Sequence, residues 1–145
     1  MQNDPESRSI SLERQINEGM VNSELSGKVA IVTGAGRMRG IGRATAMILA
    51  RMGSHVVVTG TGRNPDTFPN DEKDVGWRDI DSTVEEIQAN GVRGLPLVVD
   101  VSSEMDVQRM IDSTIEEFGR LDIMVNSAAA PYGPDRVPVL DLSSD

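Results

Sequence analysis

The stretch KVAIVTGAGRMRGIGRA, residues 28–44, decides the fold. Its first six residues, KVAIVT (28–33), form a short apolar run with β-branched side chains, which predicts a strand. A glycine cluster follows at once: Gly34 and Gly36 stand directly behind the strand, and Gly40 and Gly42 open the next segment. That segment, GIGRATAMILARM (40–52), is alanine-rich and helical in spacing, with Ile41, Ala44, Ile48 and Met52 on one face and Gly53 as its stop. A strand, a glycine turn and a helix amino-terminus in succession make an anion site. The first helical amides lack partners, the dipole favours negative charge, and glycine lets a backbone approach a pyrophosphate. The Gly-Lys-Ser/Thr ending of a Walker loop is absent, since this loop closes Gly-Ile-Gly-Arg. A purely structural turn is the alternative, and the flanking strand and helix weigh against it.

Outward from this stretch the same alternation repeats. SHVVVTG (54–60) is a second β-branched run, and DSTVEEIQAN (81–90) a helix closed by Gly91. LPLVVDV (95–101) reads as a third strand. SEMDVQRMIDSTIEEFG (103–119) reads as a helix with Val107, Ile111, Ile115 and Phe118 on its inner face, and LDIMVN (121–126) as a fourth strand. The strands are continuously apolar, as parallel strands buried on both faces are. The expected fold is α/β, a Rossmann-type doubly wound parallel sheet, covered in part, with strand order 3-2-1-4. Its ligand crevice lies where the winding reverses, at the carboxyl ends of strands 1 and 4. Residues 61–78 form a long acidic connection. Its Phe68 and Trp77 either stack on a bound base or, the favoured reading, pin the connection to the protein.

Charge singles out the same region. The chain has 145 residues and a net charge of −9, yet residues 26–63 hold six basic residues and no acid. They are Lys28, Arg37, Arg39, Arg43, Arg51 and Arg63, a window suited to an anion. Overall acidity argues against a nucleic-acid partner. With no cysteine, disulfides, cysteine zinc sites and thiol catalysis are excluded, and His55 is the only histidine. No apolar run approaches a membrane span, and MQNDPESRS has no signal core, so a cytoplasmic protein without a membrane partner is expected. Residues 1–25 are expected to form a polar extension, with Leu12, Ile16 and Met20 four apart, outside a domain over 26–145.

A Rossmann unit that binds NAD usually places an acid about 20 residues past the glycine loop, for the ribose 2′-hydroxyl. Here VVVTGTGRN has no acid before Asp66, while Arg63 follows the strand and Arg37 and Arg39 sit in the loop. Cations there suit a 2′-phosphate, so NADP is favoured over NAD, unless the arginines face solvent or touch only the pyrophosphate.

These residues resemble the short-chain dehydrogenase/reductase family over about residues 26–145. Three landmarks carry the resemblance: TGAGRMRGIG for the Thr-Gly-x-x-x-Gly-Ile-Gly loop, Asp100 in VVDVSS, and NSAA (126–129) for the Asn-Asn-Ala-Gly segment. The resemblance implies hydride transfer between NADP(H) and a carbonyl or alcohol substrate. It implies that Gly34, Gly40 and Gly42 approach the pyrophosphate, with Ile41 at the helix start. Asp100 would accept from the adenine amino group beside the Val101 backbone. Asn126 would brace strands 1 and 4, and Ala128 would line the cofactor. Alternatively, Asp100 caps the next helix and Asn126 merely ends a strand. Two departures stand out. The loop holds five residues between Gly34 and Gly40, two beyond the family pattern, and Ser127 and Ala129 replace an Asn and a Gly.

The family's catalytic Ser and Tyr-x-x-x-Lys have no counterpart here. The only tyrosine, Tyr132, has Arg136 four residues on, and both lysines, Lys28 and Lys73, come too early. No catalytic residue and no metal ligand is assigned. The chain is expected to be the cofactor-binding half of a longer enzyme, truncated before the catalytic helices and inactive alone. The full-length form would take the substrate and form a homo-oligomer. A non-catalytic dinucleotide- or partner-binding module on the same fold is the alternative. A methyltransferase would be expected to carry an acid after strand 2, which is lacking.

Overall fold

The computed structural model describes residues 24–129. Four strands form one parallel sheet: β1 (Val29–Val32), β2 (His55–Gly60), β3 (Gly94–Val98) and β4 (Ile123–Val125). Their order is β3-β2-β1-β4, as the alternation predicts. In register, Val29 faces His55 and Ala30 faces Ile123. Helices α1 (Ile41–Arg51), α2 (Asn70–Asp74), α3 (Ile80–Gln88) and α4 (Glu104–Phe118) make the connections. None is long and apolar enough to cross a membrane. The expected extension lies almost wholly outside the described residues, and so does Tyr132.

The central strands β1 and β2 are buried on both faces, while β3 and β4 are only partly covered. On one face, Val32, Val56 and Val58 pack against Ala46 and Ala50 of α1 and Ile80, Val84 and Ile87 of α3. On the other, Ile31 and Val57 meet Met110 of α4, flanked by Val107, Ile111 and Phe118. Two helices bury small or polar residues, and in the second this departs from the expected inner face. The buried stripe of α1 is Gly42, Ala46 and Ala50, while Ile41 and Ile48 are exposed. Small residues four apart let the helix backbone lie close to the sheet, so the larger side chains turn outward. In α4, Ile115 is exposed and Thr114 is buried, its hydroxyl donating to the Met110 carbonyl at 2.7 Å. That bond satisfies the polar atom and lets its methyl pack in the core.

The helix ends follow local chemistry. Ser103 caps α4, accepting from the Asp106 amide, and Gly119 closes it in the left-handed conformation. The strand read as 95–101 stops at Val98, so Asp100 and Val101 lie past its end. There Asp100 Oδ1 accepts from the Ser102 amide and hydroxyl, a local turn that competes with extension. His55 has a structural place. Its Nδ1 accepts from the Arg93 amide, and its ring stacks on Phe118 at 5.7 Å.

Candidate functional site

The glycine loop lies at the switch point, between the carboxyl ends of β1 and β4. Gly34 has φ +70, and a Cβ there would stand 2.7 Å from the Ala128 Cα. Only glycine accepts both that conformation and that approach. Gly42 packs on the same turn, since a Cβ on it would lie 2.6 Å from the Gly34 carbonyl oxygen. It therefore seats α1 on the loop, in addition to any contact with a ligand. Gly40 stands at the helix N-cap, where no side chain caps α1 and its first turn holds no acid. Ile41, 81% exposed, stands at the open mouth of this turn. Uncapped amides on a glycine cradle fit a bound pyrophosphate.

Thr33 braces the two strands here. Its buried hydroxyl oxygen accepts from the Ser127 and Ala128 amides, both at 3.1 Å. Among the described residues Asn126 makes no side-chain hydrogen bond and is exposed, so the bracing implied for it falls to Thr33. The physical reason is position. Thr33 is buried between the strand ends, whereas Asn126 is exposed to solvent.

The long connection after β2 is built. It holds a 3₁₀ turn at Pro65–Thr67 and the short α2, and it docks on the glycine loop. Buried Glu72 accepts from the Met38 amide (2.8 Å) and from Arg63 Nη1 (3.0 Å). Trp77 Nε1 donates to the Gly36 carbonyl at 2.7 Å, and Arg63 Nη2 donates to the same oxygen. Arg39 pairs with Asp71 on the surface, 3.0 Å apart. Arg43 donates to the Met38 carbonyl, pairs with Glu86 and lies over the Trp77 ring. Phe68 is buried beneath the Arg63 guanidinium, 4.5 Å away. Both aromatics thus pin the connection, as favoured above.

Arg63, read from the sequence as a cation for a 2′-phosphate, is held internally by Glu72 and Asp79. Burial works against its charge, but hydrogen bonds and charge from Asp79 and Glu72 outweigh burial and raise its pKa. Gly36 has a second duty as well. A Cβ there would lie 1.7 Å from Asp79 Oδ1, so the glycine makes room for that carboxylate. Arg37 is exposed.

At the other end of the crevice, the Ser102 hydroxyl and then its amide hold the Asp100 carboxyl below the usual range. Both bonds fall on Oδ1, which leaves Oδ2 open to a donor. The cap of α4 is Ser103 and not Asp100. Val101 is exposed beside it. Sequence reasoning missed Thr33, Glu72 and Asp79. The threonine stands inside the quoted motif and could have been found there; the two acids carry no local signal.

Comparisons with known proteins agree with this geometry. Residues 28–145 match the family model described as short chain dehydrogenase. The chain is 43% identical over 122 residues to the short chain dehydrogenase/reductase astE of Aspergillus oryzae, covering 83% of this chain and 40% of that protein. It is 36% identical over 108 residues to a 12alpha-hydroxysteroid dehydrogenase of a Clostridium species, covering 72% of this chain and 37% of the other. A short chain dehydrogenase from Mycobacterium paratuberculosis, solved bound to NAD, superposes with a TM-score of 0.60 at 31% identity, over 82% of this chain and 44% of the other. The chain thus spans about 40% of the length of such relatives. Strand order, glycine loop and family match all agree, and the chain belongs to the short-chain dehydrogenase family.

Proposed function

We propose that residues 26–145 form a dinucleotide-binding unit, with residues 1–25 outside it, in an oxidoreductase that moves hydride between a nicotinamide cofactor and a carbonyl or alcohol substrate. The observation that carries this reading is the uncapped start of α1 beneath a glycine loop at the switch point of a 3-2-1-4 sheet. The cofactor would supply the hydride acceptor or donor. The chain would supply its binding and orientation. Backbone amides from Gly40 to Gly42 face the pyrophosphate, with Ile41 at the helix start and Gly34 and Gly36 giving close approach. Asp100 Oδ2 accepts from the adenine amino group beside Val101. Asn126 and Ala128 line the nicotinamide end. The NAD-bound relative supports the cofactor class, and the hydroxysteroid dehydrogenase supports an alcohol or carbonyl substrate.

Between the two dinucleotides, the exposed guanidiniums of Arg37 and Arg39 support NADP. The ion pairs of Arg63 support NAD, because they remove the cation nearest the end of β2. Residues 1–145 contain no Tyr-x-x-x-Lys, so this stretch by itself binds cofactor without turnover. Calorimetry on the folded chain with NADH and NADPH tests the reading. Saturable binding of either is expected; heats no larger than dilution for both would refute it.

A further inference from the structure

We propose that Asp79 reads the 2′-hydroxyl of the cofactor's adenosine ribose and makes this site select NAD over NADP. The inference rests on the dinucleotide reading above and names a residue that its motif does not supply. An acid at the end of strand 2 is the usual partner of that hydroxyl, and positions 60–65 contain none. The docked connection brings one back. Asp79, 19 residues beyond Gly60 in sequence, places Oδ2 3.7 Å from where a Cβ on Gly60 would stand. Its Oδ1 fills the space that a side chain on Gly36 would need. The carboxylate thus lies between the end of β2 and the glycine loop, where the ribose of a pyrophosphate-bound dinucleotide must pass.

The electrostatics of the place point the same way. One guanidinium, Arg63, faces two carboxylates, Glu72 and Asp79, so the unit carries a net negative charge. Arg63 already commits four of its five N–H groups: Nε and one Nη2 hydrogen to Asp79, Nη1 to Glu72, and the other Nη2 hydrogen to the Gly36 carbonyl. It has little left for a phosphate. Asp79 Oδ1 takes both of its side-chain donors, while Oδ2 receives only the Arg63 amide, at 3.4 Å. A lone pair on Oδ2 therefore remains for a hydroxyl. A 2′-phosphate, with about two negative charges, would meet repulsion from this unit, and Arg63 would offer it no free donor fork.

The test is calorimetric binding of NAD, 2′-deoxy-NAD and NADP to the full chain and to Asp79→Asn. The unmodified chain is expected to bind NAD about tenfold more tightly than either of the others, the size of one charge-assisted hydrogen bond. In Asp79→Asn the three ligands are expected to converge to within about threefold, mainly through weaker NAD binding. An equal fall for all three would show that Asp79 only holds the connection in place, and the proposal fails. It fails too if the unmodified chain prefers NADP or ignores the 2′-hydroxyl, comparisons that need no variant. If the folded chain binds none of the three, the dinucleotide reading falls with it; binding without 2′-discrimination sinks the role of Asp79 alone.

Discussion

The Thr33 hydroxyl carries the join between β1 and the segment after β4, and replacing it tests that claim directly. Thr33→Val keeps the side-chain shape but removes the acceptor of the Ser127 and Ala128 amides, each 3.1 Å from Oγ1. An amide left without a partner in a buried place costs about 1–3 kcal/mol. Ser127 is half-buried and Ala128 is exposed, so water takes part of the load and the low end applies to each. The expected loss is about 2 kcal/mol for the pair. Thr33→Ser keeps the acceptor and deletes one buried methyl group, for about 1 kcal/mol. Urea unfolding of the three proteins reads the difference, with a common m-value if only the native state changes. Two results would refute the reasoning: a Thr33→Val loss below about 0.5 kcal/mol, the range of inert surface changes, or a Thr33→Ser loss as large as that of valine.

Three further outcomes follow from the same geometry. Trp77→Phe keeps an aromatic ring but removes the indole N–H that donates to the Gly36 carbonyl, and should lose at least about 1 kcal/mol in urea unfolding and speed proteolysis within residues 61–79. Met110→Ala opens a cavity against Ile31 and Val57 and should lose about 2–5 kcal/mol by the same measurement. Asp122 takes hydrogen bonds from Arg120, the Val29 amide and Lys28, which hold its carboxyl well below the ordinary 3.8. A carboxyl depressed in the folded state stabilises fully above its unfolded value and loses that contribution as pH falls toward the folded one. Asp122→Asn should therefore be less stable than the parent at neutral pH, with the gap closing only below about pH 3.8 in a pH series of melts.

What could be read from the residues divides by range and by pattern. The four strands, their order and the switch point follow from apolar runs and glycine stops, which are local and periodic signals. The buried face of α1 was not legible, and Ile115 was wrongly placed on the inner face of α4, because periodicity marks apolar residues. The closest packing there uses Gly42, Ala46, Ala50 and Thr114, which are small or back-bonded. The docking of residues 61–79 was not legible. Glu72 meets Met38 34 positions away, and Trp77 meets Gly36 41 positions away. Such contacts are single, polar and aperiodic, so no window of sequence displays them. For the same reason the acid sought near Gly60 was missed: Asp79 reaches it through a fold of the chain.

The lengthened glycine loop and the long connection after β2 therefore have one physical explanation. A loop with the family's shorter spacing would lack the residues that present the Met38 amide and carbonyl, the groups taken by Glu72 and Arg43. Without the connection, the Gly36 carbonyl would lose both of its donors, Arg63 and Trp77. A connection as long as 61–79 carries a closure cost that grows only slowly with length, so a few well-placed anchors suffice to hold it. Here those anchors are a buried carboxylate, an indole N–H and a guanidinium, and all of them bear on the lengthened loop or on one another. Removing either feature alone would leave unpaired polar groups at the mouth of the cofactor crevice. The lengthened loop and the long connection each supply the partners the other requires, and together they form one wall beside the glycine turn.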